Sequence, residues 1–192
     1  TFKSDFIRSY YPMTNRFRGK LRVDGALCFY IYDYYPVSHK LKLTSEQKKV
    51  TNLVFRFKEG ACASLAAKLF SLAISRMEFF NGLADPILLP LPASTKERHR
   101  QRFEYFCGEL SRRLTIDNGF PAVRIEYDRE QQKGTQQRDM SGIVFDPDYI
   151  EGRDVLLIDD ILTTGMSFTL IKRELEKLGA NSVTGIFLAK TI

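Results

Sequence analysis

The sequence contains no tryptophan and two isolated histidines, and its three cysteines lie far apart. Cys28, Cys62 and Cys107 form no CxxC pair, which argues against a zinc ribbon or a disulfide framework and favours a reducing compartment. No apolar run approaches the roughly 18 residues that a membrane-spanning helix needs. Thr1 opens a polar, charged stretch, so we expect no secretory signal in these residues. These absences favour a cytoplasmic protein with no membrane partner.

The composition is that of a globular protein with one basic end. The 192 residues are 44% hydrophobic and 27% charged, which is enough to build a core of ordinary domain size. The net charge of +6 is uneven, because residues 1–60 carry twelve Lys or Arg against five Asp or Glu. This basic end could bind nucleic acid or a phosphorylated small molecule, and a solvated lysine-rich surface is an equal alternative.

Helix-like and strand-like segments alternate from Leu53 onward, which predicts an α/β fold with a mainly parallel sheet flanked by helices. We predict strands at Pro86–Pro90, from Pro121 through Tyr127, at Val155–Ile158 and at 182–189. We predict helices at 61–80, from a capping box at Ser94–Glu97, and at 166–178. The helix at 61–80 is expected to place Leu65, Leu69, Leu72 and Ile74 on one side.

The first residues do not follow this alternation. A tyrosine-rich strand is predicted at 26–35 and a helix at 45–58. We interpret residues 1–52 as an N-terminal hood that flanks the sheet edge or covers its top, and residues 53–192 as the α/β domain.

The most informative stretch is Val155–Ser167. An apolar strand brings Asp159 and Asp160 to the carboxyl end of the sheet, where α/β proteins bind their ligands. A hydroxyl-rich turn with Gly165 and a helix N-terminus follow, and free N–H groups there can hold a phosphate. Two carboxylates suit sugar hydroxyls, directly or through hydrated Mg²⁺, so the combination predicts a sugar-phosphate site. An ordinary buried strand whose acids cap a helix is the alternative, and no P-loop motif is present.

This stretch resembles the signature of type I phosphoribosyltransferases, which bind phosphoribosyl diphosphate (PRPP). The signature is four apolar residues, two acids, an apolar and a variable residue, then Thr-Thr-Gly-x-Thr/Ser, and every position fits. Residues 53–191 further resemble the ComF-like, amidophosphoribosyltransferase-like branch. This chain departs from that branch in lacking its cysteine ribbon and in having Arg100–Glu104 where Arg-Gly-Phe-Asn-Gln is usual.

The resemblance implies a role for each matching residue. Asp159 and Asp160 would bind the ribose hydroxyls and Mg²⁺, directly or through water. The 5′-phosphate would lie in the phosphate loop, which we define as Ile161, Leu162, Thr163, Thr164, Gly165, Met166 and Ser167. Pyrophosphate would lie against the diphosphate loop, defined as Leu91, Pro92, Ala93 and Ser94, with the amides of Leu91, Ala93 and Ser94 as donors. A plain strand exit with a helix cap is the alternative for that loop.

Residues 128–142 are polar and contain one sizeable apolar side chain, Met140, so we expect a mobile segment. The resemblance implies a catalytic lid that excludes water and brings Arg129, Lys133 and Arg138 to the departing pyrophosphate. A surface loop without a task is the alternative. The basic cluster at Lys96–Arg102 could bind pyrophosphate or nucleic acid, or could be a solvated helix end.

The resemblance, together with these features, implies a phosphoribosyltransferase, a glycosyltransferase of nucleotide metabolism. It would use PRPP and Mg²⁺ to transfer ribose 5-phosphate to a nitrogen acceptor that the sequence does not identify. The alternative is a non-catalytic module that senses PRPP or nucleotides, or binds single-stranded nucleic acid, since the ComF-like branch is associated with DNA uptake. Turnover and assembly, including a homodimer, are left open by the sequence.

Overall fold

The protein is described by a computed structural model that covers residues 10–37, 42–128 and 140–192. Its central sheet has six strands in the order β1-β2-β8-β7-β3-β4, and every neighbouring pair except β1–β2 is parallel. A separate antiparallel pair is formed by β5 and β6. The strands are β1 (Gly19–Val23), β2 (Ala26–Tyr34), β3 (Pro86–Pro90), β4 (Asp117–Asn118), β5 (Val123–Ile125), β6 (Ile143–Phe145), β7 (Asp154–Leu162) and β8 (Ser182–Thr191).

Helices cover both faces of the sheet, so the predicted α/β class with a mainly parallel sheet is confirmed. They are α1 (Ser45–Lys58), α2 (Ala63–Ser75), α3 (Glu78–Asn81), α4 (Lys96–Leu114) and α5 (Met166–Lys177). On one face, Phe57 of α1 packs against Phe106 of α4 with ring centroids 4.8 Å apart. On the other face, Phe168 and Leu175 of α5 pack among the apolar side chains of β3, β7 and β8. Two apolar layers therefore enclose the parallel strands.

The N-terminal residues contribute to the same sheet. An Asp24-Gly25 turn, in which both residues have positive φ, joins β1 to β2, and this is the backbone that a two-residue hairpin favours. Strand β2 then pairs with β8 in parallel. The predicted division after residue 52 falls inside α1, whose side chains Leu53 and Phe57 are fully buried.

Four local predictions need correction. Leu72 is exposed, because α2 turns that side of the helix to solvent. Helix α4 begins at Lys96 and is capped by Thr95, not Ser94, because the Arg98 amide donates to Thr95 Oγ1 at 3.1 Å. A 3₁₀ helix (Phe120–Ala122) occupies the start of the strand expected at Pro121. That strand ends at Ile125, which leaves Tyr127 exposed.

The helix predicted at 61–80 is divided, because α2 ends at Ser75 and the separate short helix α3 begins at Glu78. The other element predictions agree closely with the structure. Gly179 follows α5 with φ +88°, as a helix C-terminal glycine does, and the apolar stripe of α4 from Phe103 to Leu114 is buried. In the described ranges, no helix combines the length and the apolar character that crossing a membrane requires.

Candidate functional site

The predicted acid pair lies at the carboxyl end of β7, between β3 and β8. Strand β7 continues through both acids to Leu162, so Asp159 and Asp160 belong to the strand and not to the turn after it. Asp160 is buried, and the Asp159 side chain is 15% exposed. The Asp160 amide donates to Asp159 Oδ1 at 2.8 Å, and the Ile161 amide donates to Asp160 Oδ1 at 2.7 Å. These two bonds fix the orientation of both carboxylates.

Two cations face the acid pair: Arg102, which belongs to the basic cluster predicted as a possible pyrophosphate site, and Lys58, which the sequence did not single out. Arg102 Nη1 lies 3.9 Å from Asp159 Oδ1 and 3.6 Å from Asp160 Oδ2. Lys58 Nζ lies 3.7 Å from Asp160 Oδ2. Arg102 is itself held in place, because its Nε donates to the Lys58 carbonyl at 3.3 Å and its guanidinium lies 5.6 Å from the centre of the Phe103 ring. The distances to the carboxylates are those of ion pairs without a hydrogen bond.

The electrostatics of the pair are asymmetric. The pKa of Asp159 is raised well above its usual value, first by burial and then by the neighbouring charge of Asp160, while the Arg102 guanidinium opposes the rise. Burial and a like charge both disfavour the ionised form of a carboxyl group. A carboxyl pair held in this way can accept hydrogen bonds from the hydroxyl groups of a ligand.

The phosphate loop has the backbone that a phosphate site needs. Gly165 has φ +79° and directly precedes α5, and Thr163 and Thr164 are exposed. Within the described ranges, no protein atom accepts a hydrogen bond from the backbone N–H of Thr163, Thr164 or Gly165. These donors, together with the N-terminal end of α5, form a cradle that an anion can occupy.

Gly165 is required by two constraints at once. Its positive φ is costly for a residue with a Cβ, and a Cβ placed there would lie 2.7 Å from Cγ1 of Val23 in β1. The hairpin that carries Val23 is also tied to α5, since Asp24 accepts from Arg173 at 2.8 and 3.0 Å and from Lys172 at 3.3 Å. The N-terminal hairpin thus supports the phosphate loop from behind.

The diphosphate loop is more engaged than expected. The Leu91 amide donates to the Ile158 carbonyl at 2.8 Å, and the Ala93 amide donates to His99 Nδ1 at 3.4 Å. The prediction that these two amides are available is therefore wrong, because the sheet and a buried histidine use them. The Ser94 amide has no acceptor in the described residues. The loop nevertheless lies beside the acid pair, since Pro90 pairs with Ile158.

The three lid cations, Arg129, Lys133 and Arg138, lie outside the described residues. The chain on either side of them is described: β5 pairs with β6, and the Glu126 amide donates to the Gly142 carbonyl at 2.8 Å. Asp128 binds the first amide of α4. The described residues on the two sides of the segment therefore lie side by side, and Asp128 is attached at the diphosphate-loop end of α4.

The remaining members of the basic cluster do not gather at the acid pair. Arg100 pairs with Glu97 at 3.0 Å, and Lys96 and Arg98 are exposed. His99 stacks on Phe120 with ring centroids 5.2 Å apart and supports the diphosphate loop. Of the cations in this cluster, Arg102 is the one whose side chain lies on the inward side of α4 and reaches the acid pair.

The fit of the site to Mg²⁺ is partial. Asp160 Oδ2 is buried and accepts no hydrogen bond, so it is an oxygen that a cation could bind. Across the described residues, no group of three or more His, Cys, Asp and Glu could hold a metal ion. Mg²⁺ is commonly held by one or two carboxylates together with water and substrate phosphates, which the acid pair can satisfy. Lys58 and Arg102 oppose a metal ion held by the protein alone.

Comparisons with known proteins support the superfamily. The family described as "Phosphoribosyl transferase domain" matches residues 104–190, which is less than half of the chain and includes the acid pair and the phosphate loop. The match says nothing of the ComF-like branch. No curated protein matches the chain.

Among solved structures, similar chains include hypoxanthine-guanine phosphoribosyltransferase from Bacillus anthracis (17% identity, TM-score 0.38, covering 67% of this chain and 66% of that one). Adenine phosphoribosyltransferase from Thermoanaerobacter pseudethanolicus is also 17% identical, with TM-score 0.38 and coverage of 76% and 86%. The alignment spans just under two thirds of the Bacillus protein. At these TM-scores, the likeness supports no conclusion about substrate or partner.

Proposed function

We propose that the protein binds PRPP together with Mg²⁺ and transfers ribose 5-phosphate to a nitrogen nucleophile, with release of pyrophosphate. The observation that carries this proposal is the juxtaposition of the acid pair with three unengaged amides of the phosphate loop at the end of β7. The match of residues 104–190 to the phosphoribosyl transferase domain supports it. Membership of the ComF-like branch and a cytoplasmic location are parts of the same proposal.

In this mechanism, the phosphate loop binds the 5′-phosphate through the amides of Thr163, Thr164 and Gly165. Asp159 and Asp160 accept hydrogen bonds from the ribose hydroxyls, which holds the sugar while positive charge grows at C1. The bond from C1 to the diphosphate oxygen breaks and that oxygen keeps the electron pair. The acceptor nitrogen bonds to C1 with its lone pair, and the proton that it loses passes to the departing pyrophosphate or to water. Mg²⁺, when bound by the acid pair and the substrate, would supply charge neutralisation for the leaving pyrophosphate.

The cations on the chain would serve the leaving group. Lys58 and Arg102 already lie beside the acid pair, and Arg129, Lys133 and Arg138 are assigned to the lid by the family resemblance alone. Positive charge at this point stabilises the developing negative charge of pyrophosphate.

The test is calorimetric titration of Mg-PRPP into the wild type and an Asp159→Asn/Asp160→Asn variant. We expect binding to the wild type at or below millimolar ligand and its loss in the variant. Glu174→Gln/Glu176→Gln, which removes two acids from the outer side of α5, is the matched control and should bind as the wild type does. Absence of wild-type binding, or equal binding by all three proteins, would contradict the proposal.

A second candidate function is favoured by a cleft of about 520 Å³ on the basic N-terminal side. Arg16, Lys20 and Arg76 line it beside Phe17 and the buried ring of Phe29. None of these three cations has an acidic partner within 4 Å in the described ranges. In proteins that bind single-stranded nucleic acid, cations contact the phosphates and aromatic rings stack on the bases. We infer that a non-catalytic binding role is the alternative.

Binding of a fluorescent oligothymidylate tests this alternative. Affinity should fall with salt, with a slope of roughly −0.7 per phosphate contact in a logarithmic plot. Arg16→Ala/Arg76→Ala should weaken binding, whereas Arg112→Ala/Arg113→Ala, whose side chains pair with Glu109, should not. No binding at low ionic strength, or binding indifferent to salt, would refute the role.

A further inference from the structure

We propose that Lys58 and Arg102 are built-in counter-ions of the acid pair, so that the ligand-free protein neutralises Asp159 and Asp160 without a divalent metal ion. A metal ion would then bind there only together with a ligand that supplies further oxygens. The inference rests on the proposed function for the identity of that ligand alone. It assigns Lys58 and Arg102 as positioning residues that decide when the site accepts a metal ion.

The charges at the site balance. Two carboxylates face two cations, and all three contacts are between 3.6 and 3.9 Å. The cations come from separate helices, Lys58 from the last residue of α1 and Arg102 from the second turn of α4. The two residues are also linked to each other, because Arg102 Nε donates to the Lys58 carbonyl. The end of α1 and the start of α4 are thereby joined over the acid pair.

The burial of the pair makes this balance matter. The side chains of Arg102 and Asp160 are 15% and 6% exposed, so their interaction is screened less than one at the surface. Asp160 Oδ2 has no hydrogen-bond donor and has both cations within 3.7 Å. A divalent ion on that oxygen would lie close to two positive charges. Their repulsion lowers the affinity for a free ion, whereas an anionic ligand offsets it.

Only two protein carboxylates are available to a metal ion here, and no described residue adds a third acidic, histidine or cysteine ligand. Such a site is completed by oxygens from water and from a phosphorylated ligand. The negative charge of the same ligand would also interact favourably with Lys58 and Arg102. Metal binding and ligand binding should therefore be cooperative.

The test is binding of Mn²⁺ alone, measured by the loss of its free electron paramagnetic resonance signal. We expect weak binding by the wild type and binding at least about tenfold tighter by Lys58→Met/Arg102→Met, because two positive charges are removed from the site. Lys58→Arg/Arg102→Lys keeps both charges and should resemble the wild type. Adding Asp160→Asn to the methionine variant should abolish the gain, which places the new Mn²⁺ at the acid pair.

The outcomes separate clearly. If the methionine variant binds Mn²⁺ no more tightly than the wild type, the inference is overturned. If that variant does not fold, Lys58→Met, at a side chain 38% exposed, should still show part of the gain, and no gain there would also overturn it. If the wild type does not bind Mg-PRPP but the methionine variant gains Mn²⁺ affinity, the proposed function is refuted and the inference about Lys58 and Arg102 is retained. If the wild type binds Mg-PRPP but the methionine variant gains no Mn²⁺ affinity, only the inference about Lys58 and Arg102 is refuted.

Discussion

Replacing Gly165 by alanine should damage the phosphate loop in two separable ways. The left-handed backbone at φ +79° costs a residue with a Cβ about 1–2 kcal/mol. The added Cβ would also lie 2.7 Å from Val23 Cγ1, and relieving such overpacking costs typically about 1–3 kcal/mol. We expect Gly165→Ala to lower the free energy of unfolding by roughly 2–5 kcal/mol, measured by urea denaturation followed by circular dichroism.

Gly25 provides the matched control for the backbone cost. It has the same φ of +79°, and a Cβ there would meet no atom within 4 Å. Gly25→Ala should therefore cost only the backbone part, and the excess at Gly165 measures the clash. Adding Val23→Ala to Gly165→Ala should recover part of that excess, beyond the cost of Val23→Ala alone. If Gly165→Ala is no more destabilising than Gly25→Ala, the close packing of the hairpin behind the phosphate loop is refuted.

Three further changes follow from the described contacts. The pKa of Asp159 is raised in the folded state, so the protonated carboxyl group favours folding. This contribution to the free energy of unfolding is present at acid pH and is lost as pH rises through the raised pKa. Asp159→Asn should thus increase stability relative to the wild type at neutral pH, and a pH series of urea melts that shows no such gain would contradict the buried-pair description. Asp24 is the opposite case, since hydrogen bonds from Arg173 lower its pKa to about 2. Asp24→Asn should be less stable than the wild type above pH 4, and the difference should shrink as pH falls and vanish as it passes below about 2. A constant difference would argue against the ion pair. Phe57→Ala removes a fully buried ring and should cost about 3–5 kcal/mol by the same melts, while a loss under 1 kcal/mol would mean that the aromatic core repacks.

The sequence predicted best what is local. The signature from Val155 to Ser167 is contiguous, so its strand, acids, turn and helix could be placed in order from apolar pattern and glycine position alone. Helix α1 was predicted with the bounds it has, and a Thr44–Gln47 capping box accounts for its start. Strand β2 was predicted within one residue because its aromatic and β-branched side chains favour a strand.

What sequence could not predict depends on tertiary contacts. Lys58 and Arg102 are 44 positions apart and meet only because α1 and α4 pack on the same face of the sheet. The Leu91 amide was expected to be available, and parallel pairing with β7 decided otherwise. Leu72 satisfies a helical apolar stripe, yet α2 turns it outward. In each case, the neighbour that decides the outcome is distant in the chain.

The central place of β7 has a consequence for amide hydrogen exchange. Strand β7 is hydrogen-bonded to β3 on one side and β8 on the other, and apolar layers cover both of its faces. Its amides should exchange only through global opening, whereas β1 and β4, at the two edges, should exchange through cheaper local openings. The carboxylates of Asp159 and Asp160 are therefore expected to stand on a strand that is among the slowest to exchange in the described residues. Any conformational change on ligand binding is therefore expected in the loops and helices around β7 and not in the strand itself.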